Sequence, residues 1–141
     1  VKLSHMAAAA AGKGGWAQMS PSDNGYAGAK IKEQYKYLQR FAQDIESGKQ
    51  SLNGNFVRRA RMYNDAARGT LEDVRKREMV KSGYIEERRV RAAADSCADC
   101  IEYEALSWKP IGTLPRIGQS ICKTNCKCTF AYRDANGVEA E

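Results

Sequence analysis

All five cysteines of the chain fall between positions 97 and 128, as Cys97, Cys100, Cys122, Cys126 and Cys128. This clustering constrains the fold more than any other feature. An odd count argues against a fully paired disulfide framework. The trio in C-K-T-N-C-K-C is too tightly spaced for its members to pair with one another, because a disulfide needs a particular separation and orientation of its Cα atoms. A metal ion fits better. The C-x-x-C of Cys97 and Cys100 lets two sulfurs converge on one ion from a single turn, and the C-x-C of Cys126 and Cys128 sets two side chains on one side of a strand. Two of the distal trio then complete four tetrahedral ligands for zinc, with one cysteine left over.

The only histidine, His5, lies in V-K-L-S-H-M. That stretch reads as a cloning scar ahead of Met6 and is set aside, so the expected site is sulfur-only. A closed set of four sulfurs is structural rather than catalytic. Two other outcomes stay open. Oxidation would join Cys97 or Cys100 to one of the distal trio. Thiol redox catalysis at C-A-D-C would need a preceding strand and a helix N-terminus that lowers the thiol pKa. Zinc deaminase chemistry needs H-x-E and P-C-x-x-C, which are absent. The chain also lacks a P-loop, a G-x-S-x-G and a G-x-G-x-x-G, and no acid–base or nucleophile constellation is legible, so a non-enzyme is expected.

With 141 residues and 43% hydrophobic content, the chain can bury one small core, as one domain or one domain with a helical arm. The net charge of +6 suits an acidic partner. No apolar run approaches the roughly 18 residues of a membrane-spanning helix, and 7–11 is too short and weakly apolar for a signal peptide.

Residues 1–25 combine the scar with an Ala/Gly/Ser-rich arm, expected to be mobile, in which Trp16 either anchors a partner or packs back on the chain. Residues 26–83 read as a basic helical region. Ile31, Tyr35, Leu38, Ala42 and Ile45 recur at helical spacing over 26–47, with Phe41 widening the stripe and Ser47-Gly48 stopping it. A second helix is expected over about 55–68, with Phe56, Ala60, Tyr63 and Ala67 on one face and an end at Gly69. Thr70 and Asp73 resemble a capping pair for a third helix over about 71–82, whose thin apolar face of Leu71, Val74 and Met79 predicts weak packing. From Arg58 to Arg91 there are eleven Lys or Arg against six Asp or Glu. The excess reads first as a solvated face with paired charges, and second as a surface for nucleic acid or an acidic protein; no stacking pattern or recognition motif singles out nucleic acid. Residues 84–94 are ambiguous between strand and helix, and E-E-R-R leans helical. A short β-hairpin is expected around Cys126 to Tyr132, and Asn136-Gly137 marks a turn in the tail 134–141. The fold class is thus mainly α: a helical bundle or arm with a small zinc-stapled, cysteine-rich knuckle over 84–133.

The loop between the cysteines, S-W-K-P-I-G-T-L-P-R-I-G-Q-S, has two prolines and two glycines that specify turns. Trp108, Ile111, Leu114 and Ile117 are its candidates for an apolar cluster beneath the metal. Together, C-A-D-C, W-K-P-I-G-T-L-P-R-I-G and C-K-T-N-C-K-C-T-F resemble the C-terminal motif of the phage Mu F-like minor head proteins, the head morphogenesis proteins of tailed bacteriophages. The resemblance covers about 84–133. Cys97 and Cys100 match the first pair, Cys122 stands where the family often has His, and Cys126-Lys127-Cys128 matches the terminal C-[RK]-C. The Cys122 replacement and its spacing from Cys126 depart from the pattern. The resemblance implies a structural virion component of few copies, present in host cytoplasm during assembly. Its partners would be the portal and capsid proteins, with double-stranded DNA as a further contact during packaging. The alternative is a zinc-stabilised nucleic-acid-binding module.

Overall fold

A computed structural model describes residues 1–92 and 95–141 and divides the chain into two compact units, Val1–Leu71 and Glu72–Glu141. The first is wholly helical. Helix α1 (Lys2–Lys13) buries His5, Ala9 and Ala10 and ends at Gly14, whose φ of 92° is left-handed backbone that favours glycine. The stretch expected to be a mobile arm is therefore ordered helix: its alanines are strong helix formers, and their small side chains make a close-packing face. His5, set aside with the scar, is 1% exposed, and its Nδ1 lies 2.7 Å from Thr70 Oγ1. Trp16, in a 3₁₀ turn (Trp16–Gln18), is 56% exposed and does not pack back.

Helix α2 (Pro21–Glu46) starts earlier than apolar spacing alone suggests. Ser20 and Asp23 form a reciprocal capping box: the Asp23 amide donates to Ser20 Oγ at 3.2 Å, and the Ser20 amide donates to Asp23 Oδ2 at 3.0 Å. Pro21 occupies the first helical position, where its missing N–H costs nothing. Lys13 approaches the same carboxylate at 3.4 Å. The Ser20 hydroxyl is the main reason that Asp23 is held down to about 2, with burial opposing. Along α2, Ala27, Ile31 and Phe41 are buried, Leu38 and Ile45 half-buried, and Tyr35 and Ala42 exposed. Phe41 is the centre of this unit. Phe56 and Tyr63 of α3 (Gly54–Asp65) lie 5.5 and 5.7 Å from it, ring centre to ring centre, and the Arg59 guanidinium covers it at 4.7 Å.

Helix α3 stops at Ala66, and α4 (Ala67–Lys81) follows at once. Gly69 lies inside α4 rather than ending α3, and the expected Thr70–Asp73 capping pair does not form. Thr70 is already mid-helix, engaged with His5, while Asp73 pairs with Arg116. The unit boundary falls within α4, not after it. The expectation of weak packing for α4 fails because its buried face is largely polar: Glu72 and Asp73 are buried beside Val74.

In the second unit, E-E-R-R is strand, not helix. Strand β1 (Glu86–Val90) is the middle of a three-stranded antiparallel sheet, between β2 (Lys109–Pro110) and β3 (Thr129–Arg133). Its register sets Glu87 opposite Tyr132 and Arg89 opposite Phe130. Propensity disfavours charged strands, but pairing with T-F-A-Y-R and specific partners for the inward charges override it. The hairpin expected around Cys126 is likewise absent: β3 pairs with distant β1, and Cys126 and Cys128 precede the strand. Residues 93–94, the end of the ambiguous stretch, lie outside the described residues. The tail turns at Gly137, as expected, and the Ala140 amide returns to the Tyr132 carbonyl. No described helix is long and apolar enough to cross a membrane.

Candidate metal centre

Cys97 caps the N-terminus of helix α5 (Ala98–Ala105) in extended conformation, and Cys100 follows in the first turn, 1% exposed. This local bend lets the C-x-x-C sulfurs face one point. The distal trio arrives from the other side. Asp99 of α5 accepts a hydrogen bond from the Ile121 amide at 2.9 Å and so fixes the approach of Cys122. A 3₁₀ turn (Lys123–Asn125) then delivers Cys126. Cys126 and Cys128 are buried, and Lys127 between them is exposed, which is the alternation expected of C-x-C.

All five sulfur-bearing residues line one cavity of about 200 Å³. The Cys97 and Cys122 sulfurs are 3.4 Å apart, Cys100 and Cys122 3.9 Å, and Cys100 and Cys126 3.8 Å. A tetrahedron of metal–sulfur bonds of about 2.3 Å has edges of roughly 3.8 Å, so each of these separations suits a pair of ligands on a common ion. They are far from the roughly 2 Å of a disulfide, and none of the five is disulfide-bonded. Two groups of three, Cys97–Cys100–Cys122 and Cys100–Cys126–Cys128, each hold their sulfurs within 4.8 Å and share Cys100. The cysteines are thus positioned to hold a metal ion, and Cys100 is the sulfur common to both groups.

The thiols are electrostatically unequal. Burial pushes Cys97 up, but the Cys100 and Cys122 amides and the neighbouring thiols outweigh it and bring Cys97 to about 7. Burial also opposes ionisation of Cys126, yet the Cys128 amide and adjoining thiols draw it below its ordinary value. Burial raises Cys100 and Cys122, and pushes Cys128 up to about 12. Thiolate ligands must be deprotonated, so a metal ion bound here would draw protons from the raised thiols.

Two residues missed by sequence reasoning build the loop between the cysteine groups. Glu87 is fully buried. Its carboxylate accepts from the Gly112 and Leu114 amides at 2.9 and 3.0 Å and pairs with Lys76 at 2.6 Å. Gly112 has a φ of 94°, so this turn favours glycine. Arg89, also fully buried, donates to the Pro115 carbonyl. The clamped loop then lays Leu114 and Ile117 against Cys100, Cys126, Cys128, Phe130 and Tyr132 in one cluster, with Ile111 partly buried beside it. Trp108 departs from expectation. It lies against Arg88 and Arg133, at 5.0 and 4.7 Å, where its indole ring attracts guanidinium groups, and is not part of the cluster. The burial of β1 alternates along E-E-R-R-V, but its residue types do not, so no sequence signal marked Glu87 and Arg89.

Compared with known proteins, the chain matches no family model, no curated protein and no solved structure.

Proposed function

We propose that this chain is a structural minor head or head morphogenesis protein of a tailed phage, whose C-terminal unit is stapled by one zinc ion and whose partners are portal and capsid proteins. The observation that carries the reading is the convergence of five sulfurs beside a clamped W-K-P-I-G-T-L-P loop, the combination on which the resemblance to Mu F-like proteins rests. The two sulfur groups, Cys97–Cys100–Cys122 and Cys100–Cys126–Cys128, would supply the four ligands through their shared Cys100, with one of the five sulfurs left over. Bound zinc supplies cross-linking: four thiolates leave no open position for a substrate or activated water. The protein's own contribution is to bring two chain segments together through α5 and the Glu87 clamp.

The charge pattern supports a protein partner over nucleic acid. Several cations of the basic stretch are engaged at home: Arg59 with Asp44, Lys76 with Glu87 and Arg91 with Glu104. The test is co-expression with a tailed-phage portal protein, followed by sedimentation. Co-migration with portal rings supports the reading. Failure to bind portal or capsid protein, together with tight and steeply salt-dependent binding to DNA or RNA, would replace it with the nucleic-acid module.

A further inference from the structure

Arg89 is the anomaly of the C-terminal unit. Its side chain is fully buried, yet its one hydrogen bond among the described residues is to the neutral Pro115 carbonyl. Its Nε and Nη1 atoms are buried without a hydrogen-bond partner. A buried cation without a counter-charge is strongly disfavoured. The nearest inward carboxylate along β1, that of Glu87, is taken up by Lys76 and two loop amides. Other cations of the unit have carboxylate partners: Arg91 with Glu104, Arg116 with Asp73 and Arg133 with Glu86.

What surrounds Arg89 adjoins the apolar cluster that packs against the cysteines. The guanidinium lies 4.6 Å from the Phe130 ring centre and 5.5 Å from that of Tyr103. Phe130 packs in one cluster with Cys100, Cys126 and Cys128. Tyr103 lies one helical turn beyond Cys100 on α5. Pro115 lies between Leu114 and Ile117 of the same cluster. A divalent ion with four thiolates carries a net charge of −2, whereas Lys123 and Lys127 are exposed and screened by water.

We infer that Arg89 is the buried counter-cation of the thiolate centre, a positioning residue that stabilises the metal-bound, fully deprotonated state of the cysteines. The inference rests on the zinc reading above. It also makes the coupling reciprocal: metal binding supplies the negative charge that Arg89 lacks.

The test measures zinc affinity by chelator competition, with thermal stability, in the wild-type protein and in Arg89→Lys, Arg89→Gln and Arg89→Met. Gln keeps a donor for Pro115 without the charge. The expected result is a loss of zinc affinity of about ten- to a hundredfold in the Gln and Met variants. Their zinc-loading curve would move to higher pH, their metal-free stability would match or exceed wild type, and Lys would keep most of the affinity. Wild-type affinity in Gln or Met would overturn the inference, as would equal destabilisation of the metal-free and zinc-loaded forms. If Met does not fold, Gln and Lys decide alone. A wild-type protein that takes up no zinc would overturn this inference and the zinc reading together, whereas normal loading of every variant would overturn this inference only.

Discussion

Phe41 and Glu87 are the buried side chains on which their respective units converge, and they could hardly differ more. Around Phe41 gather Phe56, Tyr63 and the guanidinium of Arg59. Around Glu87 gather an ammonium and two backbone amides. The N-terminal unit is held by area removed from water, which is non-directional and tolerant of small shifts. The C-terminal unit is held by directed contacts: Lys76 to Glu87, Arg116 to Asp73, Thr129 to Glu72, and the sulfurs to one another. Directed contacts specify geometry closely but fail abruptly when one partner is removed. That suits a unit whose task is to bring five sulfurs to one place.

The largest expected contrast comes from Cys100→Ser. Because Cys100 belongs to both sulfur groups, the variant should lose zinc entirely, and amide exchange should show loss of protection over 86–133 while α1 and α2 stay protected. Loss of protection throughout both units would break the comparison. Next, Glu87→Ala leaves Lys76 and two amides without their acceptor. It should cost about 3–5 kcal/mol of the C-terminal unit's stability in denaturant unfolding, the scale for breaking a buried ion pair. Phe41→Ala should cost about 3–5 kcal/mol in the other unit, through lost burial and a residual cavity, with zinc uptake unchanged.

The smallest effect is at Asp23. Its carboxyl is held at about 2, below the ordinary aspartate value, so its ionised form is favoured by folding. The stabilisation is therefore complete above about pH 4 and lost as pH falls through 2. Asp23→Asn should remove about 1 kcal/mol at pH 7 and flatten the acid limb of the N-terminal unit's stability curve. An unchanged acid limb would show that the capping box does not control it.

The same contrast decides what could be read from sequence. Apolar spacing announced α2 and α3, and Phe56, Ala60 and Tyr63 of α3 are buried or half-buried, while Ala67 is buried at the start of α4. The Ser47-Gly48 stop also holds. The start of α2 was hidden because Ser20-Pro21-x-Asp23 carries its signal in polar capping chemistry, in a stretch that otherwise reads as linker. The five cysteines were legible as one site from spacing alone. The sheet was not, because a strand of Glu and Arg is stabilised by Lys76, two loop amides and the Pro115 carbonyl, partners far away in sequence. Trp108 looked like core for the same reason: only the folded register brings Arg88 and Arg133 to its ring.

Native mass spectrometry of protein purified without chelator tests the central claim most directly. One zinc ion per chain, released by acid together with recovery of five titratable thiols, is the result expected of a sulfur staple. A metal-free chain lighter by the hydrogens lost to disulfides would contradict it, and so would a chain that carries no metal with all five thiols reduced.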